Sequence, residues 1–321
     1  MSLGMRIVFM GTPEFAVASL DAVIDAGHQV VAVITAPDKA VGRGQRIGES
    51  AVKTYAKEHG LTLLQPANLK DSEFQRELAA LKAELQIVVA FRMLPEAVWA
   101  MPPGGTVNLH ASLLPDYRGA APINWAVING DSETGLTTFF IEREIDTGKV
   151  LLQEKIPIPH DWSAGQLHDE MMIKGGALLV KTIETIESGT AKAMDQSHLM
   201  DSSAEVRQAP KIFKEDCRID WDLPVARVYN HIRGLNPYPT AWTELVSPEG
   251  QVSSIKLFQC SKDAENIGGS PGSVIVNNQQ WKVACSEGTL SINELQLAGK
   301  KRMSASDFLR GFELNNKWIL R

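Results

Sequence analysis

Residues 5–34 read MRIVFMGTPEFAVASLDAVIDAGHQVVAVI, and this stretch decides the fold. Met5–Met10 is a short apolar run of strand type. It stops at Gly11-Thr12-Pro13, after which Glu14–Ala26 reads as a helix. Thr12 is the expected N-cap, with Pro13 at the first helical position, where a missing N–H costs nothing. Gly27 closes the helix and Val30–Ile34 is a second apolar run. Further along, the alternation returns in Ala51–His59, Thr62–Leu64, Ser72–Leu81 and Leu85–Ala90. Alternating strand and helix signals predict an α/β domain with a doubly wound, mostly parallel sheet. Its first turn, Gly11-Thr12-Pro13-Glu14-Phe15, is not GxGxxG, and no suitably placed acid follows the second strand, so no dinucleotide site is expected.

The second half has another texture. Ser163–Glu187 reads as a long helix with Ser163 as its cap. Ser188 to Pro210 is polar and irregular and reads as a linker. Beyond it, Val225–Arg233 is a short amphipathic helix ending at Gly234. Five strand candidates follow: Ala241–Val246, Ser254–Gln259, Gly272–Val276, Gln280–Ala284 and Leu290–Leu295. Short strands with turn residues between them predict a small β-barrel of OB type. The expected domains are 5–188, a linker at 189–210, and 211–321.

Composition sets the bounds. A chain of 321 residues, 44% hydrophobic and 22% charged, suits a globular protein of two domains. No apolar run approaches the roughly 20 residues of a membrane helix. Met1-Ser2-Leu3-Gly4 ahead of Met5 is read as an added remnant and set aside. No basic segment followed by an apolar core opens the chain, so a cytoplasmic protein is expected. Cys217, Cys260 and Cys285 lack metal-ligand spacing and the seven histidines form no HExxH pair, so no metal is expected. Residues 1–204 hold 17 Lys and Arg against 25 Asp and Glu, a balance of −8, while 205–321 hold 15 against 13, a balance of +2. The mildly basic C-terminal part permits a polyanionic partner without requiring one.

Asn108 and His110 stand two apart at the end of an expected strand, so their side chains share a face. An amide and an imidazole side by side can hold a carbonyl oxygen and move a proton. Asp146, brought in from the TGLTTFF…EIDTGKV segment, can set the state of the imidazole. This is equipment for acyl or formyl transfer. Ser112 lacks a GxSxG elbow and is a poor hydrolase nucleophile. Two basic groups stand out: Lys39–Arg46 (KAVGRGQR), with Arg43 and Arg46 as candidate phosphate contacts, and Lys300-Lys301-Arg302.

The stretch NLHASLLPDYRGAAPINWAVINGDSETGLTTFFIEREIDTGKV resembles the folate-dependent formyltransferases. FMGTPEFAVASLDAV, APDKAVGRGQR, CRIDWDLP, IRGLNPYPTAW and AGKKRMSASDFLRG extend the resemblance over nearly the entire chain and narrow it to the tRNA-acting branch. The resemblance implies a Rossmann-like formyltransferase domain followed by an OB-like domain that helps hold tRNA. It implies transfer of a formyl group from 10-formyltetrahydrofolate to the amino group of initiator methionyl-tRNA. Asn108, His110 and Asp146 match the family's catalytic trio; Ser112, Leu113, Leu114 and Pro115 match its folate-binding SLLP segment. After VVA this chain carries Phe91-Arg92-Met93-Leu94-Pro95, where many relatives have a Tyr-Gly pair and one more residue. That segment lines the family's pterin pocket, so Arg92 and Leu94 are expected folate neighbours. The competing expectation is a formyltransferase acting on an amino-sugar nucleotide. A monomer is expected.

Overall fold

The computed structural model describes residues 4–41, 46–200, 205–277 and 280–321. Strand β1 (Arg6–Gly11) leads into helix α1 (Glu14–Asp25) and returns as β2 (Gln29–Ile34), as the opening stretch predicts. The helix starts at Glu14 as expected, but its cap differs. Pro13, not Thr12, is the N-cap, because the proline stays extended (ψ 176°) while its carbonyl already accepts from Ala16 N. Helices α2 (Ala51–Glu58) and α3 (Ser72–Ala80) start on side-chain caps, Ser50 and Asp71. Between them lies β3 (Leu63–Leu64), and β4 (Leu85–Val89) follows. Next come β5 (Thr106–His110), β6 (Glu133–Phe140) and β7 (Val150–Pro157). The sheet order is β7-β6-β5-β4-β1-β2-β3. β5, β4, β1, β2 and β3 pair in parallel, while β6 runs antiparallel to β5. The fully buried run Ile7-Val8-Phe9-Met10 shows why this is a central strand, covered on both faces.

The chain divides into two compact units. The first comprises Met1–Gly119, Thr134–Ile156 and His168–Gln208; the second comprises Ala120–Glu133, Pro157–Leu167 and Ala209–Arg321. Two segments that precede the expected linker therefore group with the C-terminal part. One is helix α4 (Pro122–Asn129), whose Asn124 Nδ2 donates to the carbonyl of Gly234 at 2.7 Å. The long helix α5 (Ala164–Glu187) opens on a capping box: Ser163 Oγ accepts from Gln166 N, and Gln166 Oε1 accepts from Ser163 N. The stretch read as an irregular linker is partly structured. Met194 and Val150 exchange backbone hydrogen bonds, and Asp195 caps a one-turn 3-10 helix at Gln196–Leu199.

The second unit adds α6 (Val225–Gly234) and a β-barrel of β8 (Ala241–Val246), β9 (Val252–Asp263), β10 (Val274–Asn277), β11 (Gln280–Ala284), β12 (Thr289–Leu297) and β13 (Ile319–Leu320). Their order is β10-β11-β12-β9-β8-β13. The ring nearly closes where Ser273 bridges Ile319 and Leu320 N donates to Gly272 O at 2.8 Å. Gly272 has φ +82°, and a Cβ there would run into the Leu320 carbonyl, so only glycine serves. Inside, Trp281 is fully buried and stacks on Phe308 of helix α7 (Ala305–Gly311). On the barrel surface, Glu265 N, Ser291 Oγ and Lys282 Nζ converge on Asp263 and pull its carboxyl down to about 2 from the ordinary 3.8. A depressed carboxyl stabilises the fold above its unfolded value and loses that effect as pH falls. Denaturation of wild type and Asp263→Asn should differ at neutral pH, and the difference should vanish between pH 3.8 and about 2.

Candidate active site

Thr106–His110 is a central strand of the first unit's sheet, and His110 is its last residue. Period two puts Asn108 and His110 on one face at the carboxyl edge, where open sheets of this kind bind ligands. Asn108 is half-buried and His110 is 7% exposed. His110 Nε2 lies 2.8 Å from the carbonyl oxygen of Tyr117. A carbonyl has no proton to give, so Nε2 carries the hydrogen and Nδ1 is the atom that can take up or release one. Nδ1 faces Asp146 Oδ2 at 3.8 Å, too long for a direct hydrogen bond. The tautomer is therefore set by Tyr117 rather than by Asp146.

Asp146 itself is held from several sides. Its Oδ2 accepts from Gly119 N at 2.9 Å. Its backbone is left-handed (φ 56°), a region that aspartate tolerates better than most residues. Two residues on, Gly148 passes so close to Phe140 that a Cβ would collide with the Phe140 carbonyl oxygen. The turn thus needs glycine for close approach.

The SLLP segment is a tightly braced loop. Ser112 is fully buried, and its hydroxyl donates to Asp116 O at 2.6 Å. Leu114 is 2% exposed and precedes a cis bond to Pro115. Leu113 and Pro115 are half-buried, leaving them the side chains of this segment open to a ligand. The brace is Thr137. Its hydroxyl donates to Ser112 O at 2.6 Å and accepts from Leu114 N at 3.1 Å and from Gln153 Nε2 at 3.0 Å. Replacing that hydroxyl by a methyl strands the Leu114 N–H. Thr137→Val should cost about 1–3 kcal/mol of stability, read by chemical denaturation.

Arg92 and Leu94 fall differently from one another. The Arg92 guanidinium donates to the carbonyls of Pro66 and Ala67 and lies 5.5 Å from the centroid of the Phe91 ring. It ties two loops together at the same edge of the sheet. Leu94 is 8% exposed and packs in the core with Val8, Met10 and Val88. Arg118 is engaged by Gln196, through Nε at 3.1 Å and Nη2 at 2.6 Å. Arg207 grips the loop after His110: it bonds Asp116, donates to the Tyr117 hydroxyl at 2.8 Å and stacks on the Tyr117 ring.

The basic candidates are spread out. Lys39–Val41 and Arg46–Gly48 pair as antiparallel strands, and residues 42–45, with the expected contact Arg43, lie outside the described residues. In the second unit, Arg302 makes a two-pronged pair with Glu294 and stacks on Phe258 at 4.1 Å. Lys300 and Lys301 are exposed and enter no ion pair among the described residues. Among the described residues no cluster of three or more His, Cys, Asp or Glu side chains could hold a metal, and no helix is long and apolar enough to cross a membrane.

Thr137, Gln153 and Gln196 were not visible as site residues in the sequence. Thr137 is one of three buried threonines of β6, with Thr134 and Thr138, and that burial of a polar residue is its one local signal. Gln196 has none.

A family model described as formyl transferase matches residues 5–183, and one described as formyl transferase, C-terminal domain, matches 211–313. A methionyl-tRNA formyltransferase of Bacteroides fragilis is 53% identical over 318 residues, covering 99% of this chain and 98% of the relative. One of Bacteroides thetaiotaomicron is 54% identical over 313 residues, 97% of each. Among solved structures, the N-formyltransferase of Helicobacter canadensis, in complex with folinic acid and dTDP-3-aminofucose, is 20% identical. Its TM-score is 0.65, with 93% of this chain and all of that one covered. HypX from Aquifex aeolicus in complex with tetrahydrofolic acid is 18% identical with a TM-score of 0.63, covering 95% of this chain and 47% of that one. At these identities the structural likeness is one of fold.

Proposed function

The chain belongs to the formyl transferase family, and from that premise we propose that it transfers the formyl group of 10-formyltetrahydrofolate to the amino group of initiator methionyl-tRNA. The observation that carries this reading is the 53% identity to a methionyl-tRNA formyltransferase across 99% of the chain, with both family domains matched. An amino-sugar nucleotide as acceptor is not favoured, since sugar formyltransferases among the solved structures share only 19% and 20% identity. In this reading residues 5–188 do the chemistry, 189–210 link, and 211–321 hold tRNA, in a cytoplasmic monomer.

The residues fit a formyl-folate. An amide and an imidazole share one strand end, a carboxylate stands beyond them, and Leu113 and Pro115 of the segment that follows are half-buried apolar side chains. The folate supplies the activated formyl group. Asn108 donates amide hydrogens to the formyl oxygen as negative charge grows there. The attacking amine must lose a proton and the leaving folate nitrogen must gain one. His110 can do both through Nδ1, because Nε2–H stays fixed on the Tyr117 carbonyl. Asp146, 3.8 Å from Nδ1, stabilises the imidazolium in between.

Lys300 and Lys301 are candidate phosphate contacts by their exposure and free charge, and Arg43 and Arg46 by their place in the KAVGRGQR sequence. Replacing both lysines by alanine should flatten the dependence of log affinity on log salt by about 1 per lysine. Arg302→Ala should instead lower barrel stability, since Glu294 and Phe258 already engage it. The functional reading is tested by offering 10-formyltetrahydrofolate with methionyl-tRNA or a dTDP-amino sugar as acceptor. Formyl appearing on the tRNA supports it; formyl appearing on the sugar alone overturns it.

A further inference from the structure

Gln196 lies between the two regions that match the family models, and it is 2% exposed. A buried primary amide must satisfy two donors and an acceptor, and here all are used. Nε2 donates to the carbonyls of Asp146 at 2.9 Å and Gly148 at 2.8 Å. Oε1 accepts both bonds from the Arg118 guanidinium. Arg118 is covalently joined to Gly119, whose N–H holds the Asp146 carboxylate. The contacts therefore form a closed ring: Asp146 carboxylate, Gly119 N–H, Arg118, Gln196, Asp146 carbonyl.

This ring has a task. Asp146 is in the left-handed region, which aspartate tolerates but which is less populated than the ordinary regions, so bonds from its surroundings fix it there. Gln196 takes its carbonyl and that of Gly148, fixing both ends of the turn. The side chain must give and receive hydrogen bonds at once. A glutamate would satisfy Arg118 but turn negative charge on two carbonyl oxygens.

We propose that Gln196 is a positioning residue that sets the Asp146 carboxylate against His110 Nδ1, an inference that rests on the trio assigned above. Gln196→Glu keeps the size and the Arg118 contact and removes the two donors. It should lower kcat by about tenfold to a hundredfold, the order of loss that a misplaced group produces, with both KM values unchanged. Because the effect runs through Asp146, it should disappear in an Asp146→Asn background, where the double variant should be no slower than Asp146→Asn alone. Hydrogen exchange supplies a readout independent of turnover: amides of 142–149 should exchange faster in Gln196→Glu while those of the β5 strand do not. Multiplicative rate losses in the double variant, or unchanged exchange at 142–149, would overturn the proposal. If the wild type transfers no formyl group, the functional reading fails, and the exchange experiment alone decides whether Gln196 holds the turn.

Discussion

His110→Ala lowers kcat by about a hundredfold to ten-thousandfold, the range supplied by a positioned acid–base group, and leaves both KM values near those of the wild type. The expectation follows from where the proton can sit. Nε2 is committed to the Tyr117 carbonyl, so only Nδ1 remains to move a proton, and alanine has no substitute for it. His110 is 7% exposed, and its loss also strands that carbonyl, so a stability defect has to be separated from a chemical one. His110→Gln does this. Its amide can still donate to the Tyr117 oxygen but carries no exchangeable charge near neutral pH. Stability should return towards wild type while kcat stays low. Stopped-flow transfer at saturating substrates, alongside denaturation curves, checks both parts.

Asn108→Ala should cost about a hundredfold to a thousandfold in kcat, or about 3–4 kcal/mol, as for other single donors to a developing oxyanion. Asn108 is half-buried at the strand end, so removing its amide leaves no large cavity and the fold should persist. Asn108→Asp is nearly the same shape and should be worse than alanine, because it brings negative charge to the place where charge must build. Equal, small effects from both substitutions would assign Asn108 to ground-state binding instead.

The sheet was legible in the sequence because its signals are local. Apolar runs such as Ile7–Met10 are buried on both faces, and helices punctuate them, two of which start on side-chain caps. Asn108 and His110 were legible because a strand's period of two is a geometric fact about neighbours. Strand β9 shows where that logic stops. The alternation predicts an end at Gln259, yet the strand continues to Asp263. Register shifts between Leu257 and Cys260 flip the alternation there, so the pattern fails while the strand goes on. The braces of the site were illegible for a different reason. Gln196 bonds backbone carbonyls about fifty residues away, at Asp146 and Gly148, and a carbonyl belongs to every residue type. No spacing or side-chain pattern can announce such a contact. Ser112 and Leu114 belong to the motif that carried the resemblance, yet their side chains shape the loop from inside.

The account stands most directly on single-turnover transfer from 10-formyltetrahydrofolate to charged methionyl-tRNA, comparing initiator with elongator tRNA and wild type with His110→Ala. It predicts rapid formylation of the initiator form, little of the elongator form, and loss of transfer in the variant. Formyl release to water or to an amino sugar with none on methionyl-tRNA would contradict it, as would a variant that transfers as fast as the wild type.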